Sequence, residues 1–334
     1  MAPTSSGVTS PPPPFDPELA TALAELGDKA APTLTPEAIP ERRRQDALER
    51  PTDDDLRRGG TIEITERLVP GPVGAPAVSL LICRPADRGT GLGALYHIHG
   101  GGMVLGDNRA GMLQMLDLVQ EFGLAVVSVE YRRAPETPHP GPVEDCYAGL
   151  AWTAHHAEDL GIDPHRIIVA GTSAGGGLAA AVALMARDRG GPALMGQMLF
   201  GPMLDDRNDS RSGVQMIGLG IWDRTANHTG WTALLGDDRG GPDVSPYAAP
   251  ARAADLSELP PAFIDVGSAE TFRDEDVAYA GRIWQAGGHA ELHVWPGGFH
   301  SFDGLAPEAA LSKDARDARL RWLRRLLTSV PTAP

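Results

Sequence analysis

The chain has few cysteines and no long apolar run, and these absences exclude several classes of protein. Of its 334 residues only Cys83 and Cys146 are cysteines, too few for a disulfide framework, so we expect two buried free thiols in a reducing compartment. The longest apolar run, around residues 178–186, is too short to span a bilayer. Because no basic-then-apolar pattern opens the chain, we expect no signal peptide and a soluble, cytoplasmic protein.

The chain also lacks an excess of positive charge and the common phosphate-binding patterns. Its formal net charge is −15, which disfavours nucleic acid and anionic membrane surfaces as partners. Its most glycine-rich turn, at residues 171–177, has no Gly-Lys-Ser/Thr ending, and the glycine spacing does not fit a dinucleotide fingerprint. Hydrophobic residues make up 42% of the chain, so it is globular and long enough for one large domain with insertions.

Strand-like and helix-like segments alternate along most of the chain, which predicts an α/β fold with a mostly parallel central sheet flanked by helices. The first two strands are separated by a Pro/Gly turn and are expected to form an antiparallel hairpin. The predicted strands are 61–69, 77–84, 94–99, 124–129, 167–170, 194–200, 262–266 and 290–295, and the main predicted helices are 112–122, 143–156, 178–189, 272–286 and 307–327. In such sheets, sites lie at the carboxyl ends of the strands.

Two regions do not follow this alternation. Residues 1–60 begin with a Ser/Thr/Pro-rich leader and continue as helices, in which the run Glu41-Arg-Arg-Arg44 is most simply a solvated helix face. Residues 205–259 contain no strand and only a weak helical pattern. We therefore expect residues 61–204 and 260–330 to form the catalytic domain, with residues 1–60 and the insertion 205–259 forming a cap over the site.

The pentapeptide Gly171-Thr-Ser-Ala-Gly175 lies between a predicted buried strand and a predicted helix. This G-x-S-x-G pattern places a serine on a sharp strand–turn–helix elbow, where the flanking positions have no room for side chains. The serine is expected to have a strained backbone, and the N-terminus of the following helix stabilises negative charge beside it. Ser173 is therefore the candidate nucleophile.

A serine nucleophile needs a base and an orienting acid, which in strand–turn–helix hydrolases follow it in the order acid, then histidine. Glu270 is the first carboxylate after the strand predicted at 262–266, and His300 lies in the loop after the last strand. We expect these two residues to complete the triad. Asp274 is an alternative acid, but its spacing from Thr271 predicts a capping box at the start of a helix.

The oxyanion of acyl transfer requires backbone N–H donors, and a glycine-rich loop after a strand supplies them. His99-Gly-Gly-Gly102 is such a loop, and glycine lets the backbone approach the substrate closely. We expect the donors to be Gly101, Gly102 and Ala174, with Gly100 less strongly indicated and His99 anchoring the loop. His97 and His99 share a strand face, but no third ligand has a suitable spacing, so no metal site is expected.

Taken together, these motifs are similar to those of bacterial esterases of the hormone-sensitive-lipase family (family IV), within the α/β-hydrolase superfamily. The similarity rests on the segments His99–Met103, Glu130–Glu136, Pro142–Tyr147, Gly171–Gly176, Glu270–Glu275 and His300–Phe302. The resemblance implies a helical cap, carboxylic esters of short to medium chain length as substrates, and no cofactor. The chain departs from it at Glu270, where many members have Asp, at Arg133, where leucine is usual, and at Met103, where an aromatic residue is common.

The sequence therefore predicts a serine carboxylesterase that acts through an acyl-serine intermediate. An acyltransferase or an amidase could use the same triad with another acceptor or leaving group. A non-catalytic ligand receptor on the same fold is expected to lose the triad histidine, whereas His300 is present. The only partner expected is a small-molecule ester, and a homodimer is left open.

Overall fold

A central sheet forms the middle layer of the protein in this computed structural model, which describes residues 11–87 and 89–328. The sheet has eight strands. They are β1 (Ile62–Val69), β2 (Val78–Pro85), β3 (Leu92–Ile98), β4 (Ala125–Glu130), β5 (Ile162–Thr172), β6 (Gly196–Phe200), β7 (Ala262–Gly267) and β8 (Ala290–Trp295). Most of the predicted leader, residues 1–10, and residues 329–330 of the predicted catalytic domain lie outside the described residues.

The strand order is β1-β2-β4-β3-β5-β6-β7-β8. Strand β2 pairs antiparallel with both β1 and β4, and every later pairing is parallel. The predicted hairpin and the predicted mostly parallel sheet are therefore confirmed. The carboxyl ends of β3, β5, β6, β7 and β8 meet at one edge of this sheet, and the loops at this edge carry the site described below.

Helices cover both faces of the sheet and extend over its carboxyl edge. They are α1 (Pro17–Leu26), α2 (Ile39–Glu49), α3 (Asp53–Arg57), α4 (Met112–Phe122), α5 (Gly141–His155), α6 (Ala174–Asp188), α7 (Arg211–Gln215), α8 (Arg224–Leu235), α9 (Arg273–Gln285), α10 (Phe302–Leu305) and α11 (Ala310–Thr328). Several helices begin with side-chain caps: Asp16 accepts the N–H groups of residues 18 and 19, and Thr52 forms a capping box with Asp55.

Strand β5 illustrates why the central strands of the sheet are continuous runs of apolar residues in the sequence. Ile167 and Val169 face a core shared with α5 and α6, whereas Ile168 and Ala170 face a second core shared with α4 and α11. Successive side chains of a strand point to opposite faces, so a strand covered by helices on both faces is apolar at every position. Residues 163–166 of this strand are half-buried or exposed and mostly polar, which is why the sequence predicts only residues 167–170.

Helix α6 begins at Ala174, four residues before its predicted start, because packing overrides the low helix propensity of glycine. A Cβ at Gly175 would overlap the backbone of residues 98 and 99, and a Cβ at Gly177 would overlap Met203. Close approach between the helix and its neighbours therefore requires glycine in the first turn.

The N-terminal segment and the insertion are joined by hydrogen bonds. Asp223 donates its backbone N–H to Pro32 O at 3.0 Å and accepts the Thr33 hydroxyl at 3.0 Å. The Thr229 hydroxyl donates to Leu34 O at 2.7 Å. As predicted, residues 205–259 contain helices and no strand.

Cys83 and Cys146 are both buried and free, as predicted. Among the described residues, no helix is both long enough and apolar enough to cross a membrane.

Candidate active site

Ser173 lies on a sharp turn between β5 and α6, with φ 58° and ψ −124°. Its backbone N–H donates to Phe200 O at 2.9 Å, which ties the turn to the neighbouring strand β6. A Cβ at Gly171 would overlap Gly175, so the two flanking glycines permit the turn. A left-handed φ at a non-glycine residue costs about 1–3 kcal/mol and is found mainly at functional sites. The structure thus places Ser173 on the strand–turn–helix elbow that its motif predicts.

Glu270 and His300 lie on two loops that follow adjacent strands, β7 and β8. The Nδ1 atom of His300 is 3.0 Å from Glu270 Oε1, and the Gly267 N–H donates to Glu270 Oε2 at 3.2 Å. Glu270 and His300 are only 3% and 6% exposed, and the Phe272 ring meets the imidazole edge-on at 5.2 Å between centroids. A carboxylate held in this way fixes the imidazole ring and keeps the proton on Nδ1, leaving Nε2 to act as a base.

Asp274, the alternative acid, is directed elsewhere, and the capping box predicted for it with Thr271 is wrong. The Thr271 hydroxyl instead donates to Trp222 O at 2.6 Å, and the Asp274 N–H that a capping box would bind to Thr271 donates to Ser212 Oγ at 3.2 Å. Helix α9 begins at Arg273, and its N-cap residue, Phe272, provides no side-chain cap. The Asp274 carboxylate accepts the Ser212 N–H at 2.8 Å and the Arg273 Nε–H at 2.8 Å. It therefore connects α9 to α7.

Two further carboxylates behind Glu270 are buried, although their sequence pattern resembles an ordinary charged helix start. Glu275 accepts the N–H groups of Leu204 at 2.7 Å and Asp205 at 3.2 Å, and burial raises its pKa well above the usual value. Neither carboxylate oxygen of Asp276 has a hydrogen-bond partner within the described part of the chain. Burial, together with the negative charges of Glu275 and Glu270, raises the pKa of Asp276 well above its usual value.

The loop after β3 packs directly against the serine elbow. A Cβ at Gly100 would lie 2.9 Å from Thr172 O and 3.5 Å from the Ser173 Cβ atom. Gly101 and Gly102 have φ values of 115° and 59°, a conformation that favours glycine. Ala174 is the first residue of α6, where backbone N–H groups have no partner within the helix. The structure therefore brings the predicted donors Gly101, Gly102 and Ala174 to the same side of the sheet as the serine.

The His99 side chain holds this loop in place. Its ring stacks on Tyr131 with centroids 4.1 Å apart, and its Nδ1 atom lies 2.8 Å from Gly100 O. Burial lowers the pKa of His99 to about 4, so the ring is neutral at physiological pH. The Nδ1–H therefore donates to the carbonyl, which gives His99 the anchoring position expected of it.

His97 lies on β3, and its Nδ1 atom is 2.9 Å from the Ser128 hydroxyl. Burial lowers the pKa of His97 to about 3. In the part of the chain that the structure describes, no group of three or more His, Cys, Asp or Glu side chains is arranged to hold a metal ion.

A cavity of about 810 Å³ opens in front of Ser173 and His300. The N-terminal segment and the insertion contribute to its wall, and its lining combines apolar and charged side chains. These include Leu34, Arg43, Asp46, Arg50, Leu105, Glu130, Arg133, Phe200, Ile221 and Trp222. The cavity can therefore hold a small organic molecule with its reacting atom beside the serine.

Arg43 corrects one sequence interpretation. The sequence predicts a solvated helix face for the run Glu41–Arg44, and Arg44 pairs with Glu41 at the surface. Arg43, by contrast, lines the cavity and donates to Val104 O and Ala134 O, both at 2.7 Å. No local pattern separates these two arginines, because the acceptors of Arg43 lie 61 and 91 residues away in the chain.

Comparison with known protein sequences identifies an α/β-hydrolase fold and relatives that are esterases. A family model described as alpha/beta hydrolase fold matches residues 95–304. Esterase LipI of Mycobacterium tuberculosis is 33% identical over 295 residues, which cover 87% of this chain and 88% of the relative. Carboxylesterase NlhH of the same species is 34% identical over 80% of this chain and 83% of its own length.

Solved structures show the same similarity in three dimensions. A bacterial heroin esterase superposes with a TM-score of 0.86 at 40% identity, covering 94% of this chain and 98% of the other. Esterase LipW from Mycobacterium marinum superposes with a TM-score of 0.84 at 31% identity, covering 96% and 99%. These similarities confirm the resemblance drawn from the motifs and the α/β-hydrolase fold that it implies.

Proposed function

We propose that Ser173, Glu270 and His300 are the catalytic triad of this chain, which belongs to the α/β-hydrolase fold family of hormone-sensitive-lipase-like esterases and is a carboxylesterase. One observation supports this assignment above all. Glu270 and His300 form a buried 3.0 Å contact between two loops, and His300 shares one cavity with the serine elbow. This is the arrangement that activates a serine for acyl transfer.

In the first half of the reaction, Ser173 Oγ attacks the carbonyl carbon of the ester and its proton passes to Nε2 of His300. The electron pair of the C=O bond moves to the oxygen, which accepts hydrogen bonds from the N–H groups of Gly101, Gly102 and Ala174. The Glu270 carboxylate stabilises the imidazolium. When the tetrahedral intermediate collapses, the bond to the alcohol oxygen breaks, and that oxygen takes the proton from His300.

In the second half, water replaces the alcohol. His300 removes one proton from the water as its oxygen attacks the acyl carbon, and the same backbone groups stabilise the second oxyanion. The acyl–oxygen bond to Ser173 then breaks, and the proton returns from His300 to the serine. The products are a carboxylic acid and an alcohol, and the enzyme is regenerated.

We propose that residues 1–60 and 205–259 form a cap that limits the substrate to carboxylic esters of short to medium chain length. Both regions contribute to the cavity wall, through Leu34 and Arg43 from one and Ile221 and Trp222 from the other. Trp222 lies directly over the oxyanion loop, since a Cβ at Gly102 would overlap its ring. A wall so close to the reacting carbon favours short acyl groups.

We also propose a cytoplasmic location and a small-molecule ester as the only partner. The two buried free thiols support a reducing compartment. The net charge of −15 disfavours nucleic acid and anionic lipid.

The experiment that tests the assignment compares the wild-type protein with Ser173→Ala on p-nitrophenyl butyrate and p-nitrophenyl palmitate. We expect kcat/KM to favour the butyrate, and we expect the folded alanine variant to lose several orders of magnitude in activity. Adding an alcohol or amine acceptor tests the acyltransferase alternative by product analysis. Near-normal turnover by folded Ser173→Ala would contradict the nucleophile assignment, and a preference for palmitate would contradict the cap.

A further inference from the structure

Helix α2 buries little apolar side-chain surface against the rest of the protein. Ile39 is its one buried residue, and its other side chains are either polar or exposed. The helix nevertheless forms part of the cavity wall, through residues that include Arg43 and Ala47. Polar contacts must therefore fix the position of α2 in the cavity wall, and Arg43 makes the largest number of hydrogen bonds in this helix.

The Arg43 guanidinium uses four of its five N–H donors. Its Nε–H donates to Val104 O at 2.7 Å and one Nη2–H donates to Ala134 O at 2.7 Å. One Nη1–H and the second Nη2–H donate to the two oxygens of the Glu136 carboxylate, at 2.7 and 3.0 Å. A planar fork of this kind sets both the position and the orientation of its acceptors, which a point charge does not.

The two backbone acceptors of Arg43 belong to the support of the oxyanion loop. Val104 donates its own N–H to Gly101 O at 3.0 Å, and the Ala134 N–H donates to Met103 O at 3.0 Å. Gly101, Gly102 and Met103 are three consecutive residues with positive φ. The non-glycine Met103 is strained in this conformation, so the surrounding contacts must hold the loop in place.

We propose that Arg43 is a positioning residue for ester hydrolysis: by binding Val104 O and Ala134 O together, it fixes the oxyanion loop and makes α2 part of the catalytic machinery. The inference rests on the proposed function, because it takes Gly101 and Gly102 as donors to the oxyanion. Donors of this kind accelerate the reaction only when they are already in place. Arg43 therefore acts on the transition state more than on the bound ester.

The chain offers a matched control in the next residue. Arg44 lies on the same helix, carries the same charge and pairs only locally, with Glu41. Arg43→Met removes the fork, Arg43→Lys keeps the charge but cannot bind all the acceptors, and Arg44→Met leaves the fork intact. Glu136→Gln tests whether the exposed ion pair matters apart from the two carbonyls.

The experiment measures kcat and KM for p-nitrophenyl butyrate, the melting temperature, and inhibition by a matched pair of ketones. Ser173 Oγ adds to the carbonyl carbon of a trifluoromethyl ketone, its proton passes to His300 Nε2, and the resulting oxyanion lies in the loop. The corresponding methyl ketone binds largely as a ground-state analogue. The ratio of the two inhibition constants therefore reports the oxyanion loop separately from general binding.

We expect Arg43→Met to lower kcat by about 10- to 100-fold with little change in KM, since a small displacement of oxyanion donors costs this much. The trifluoromethyl ketone should lose affinity in parallel while the methyl ketone does not. Arg43→Lys should be intermediate, and Arg44→Met and Glu136→Gln should lie within about threefold of the wild type.

Three outcomes would overturn the proposal. They are unchanged kcat in folded Arg43→Met or Arg43→Lys, equal loss of affinity for both ketones, and equal effects of Arg43→Met and Arg44→Met. If Arg43→Met does not fold, Arg43→Lys decides the question by the same ratio. Failure of the proposed function has a different signature, because wild-type protein would then neither hydrolyse the ester nor prefer the trifluoromethyl ketone.

Discussion

Replacing Glu270 with glutamine should almost abolish turnover without unfolding the protein. The carboxylate accepts two hydrogen bonds, from Gly267 N–H and from His300 Nδ1–H. Glutamine has one accepting oxygen and one donating NH₂ group. Because the Gly267 N–H can only donate, the amide oxygen turns toward it and the NH₂ group faces the imidazole. His300 then carries its proton on Nε2, the wrong atom for removing the proton of Ser173.

The size of the effect follows from the same geometry. At 3.0 Å between Glu270 and His300, an effective dielectric constant of about 20 gives an attraction of about 5–6 kcal/mol between a carboxylate and an imidazolium. This stabilisation is present when the imidazolium forms and is absent with glutamine. At 1.36 kcal/mol per factor of ten, the loss corresponds to about 10⁴-fold in kcat.

Asp274→Asn is the matched control for this variant. Asp274 accepts the Ser212 N–H and pairs with Arg273, so its loss should affect stability and leave the triad intact. We expect a cost of about 1 kcal/mol, a melting temperature lower by ~1–4 °C, and kcat within about threefold of the wild type. The reasoning would be refuted if Asp274→Asn were inactive while Glu270→Gln kept its turnover.

Two further predictions follow from the loop and from the buried histidines. Gly102→Ala should inactivate the enzyme because its Cβ would overlap the Trp222 ring. Gly218 also has a left-handed φ but lies in open space, so Gly218→Ala should cost about 1–2 kcal/mol of stability and little activity. Equal kcat values in the two variants would contradict this prediction. Burial lowers the folded-state pKa of His97 to about 3, so its contribution to stability is complete above the unfolded pKa of about 6.5 and is lost as the pH falls, by roughly 2 kcal/mol at pH 5. The melting temperature should therefore fall less steeply between pH 7 and pH 5 in His97→Asn than in the wild type, and parallel curves would refute the assignment.

Local sequence patterns predict most of the fold, because each pattern follows from a short-range physical rule. The apolar run around Ile168 indicates a strand buried on both faces, and the Pro/Gly turn between β1 and β2 indicates a hairpin. The chain order of serine, acid and histidine predicts which loops meet, since parallel strands bring their carboxyl ends to one edge. Glu270 and His300 can therefore be paired across 30 residues without any coordinates.

The errors arise where a distant segment decides the local outcome. The Thr271 hydroxyl could have accepted the Asp274 N–H and capped α9, but Ser212 Oγ, 62 residues away in the chain, accepts it instead. Arg43 and Arg44 are equivalent in sequence pattern, yet only Arg43 faces two carbonyls from remote loops. Such choices depend on tertiary packing, which spacing and propensity do not contain.

The central claim is that Ser173 is acylated during ester hydrolysis, and a covalent probe tests it most directly. A fluorophosphonate reacts with an activated serine, and mass spectrometry of the digested protein identifies the labelled peptide. We expect one label per chain, on Ser173, with esterase activity lost in proportion to labelling. Label on another residue, or full activity after Ser173 is completely labelled, would contradict the account.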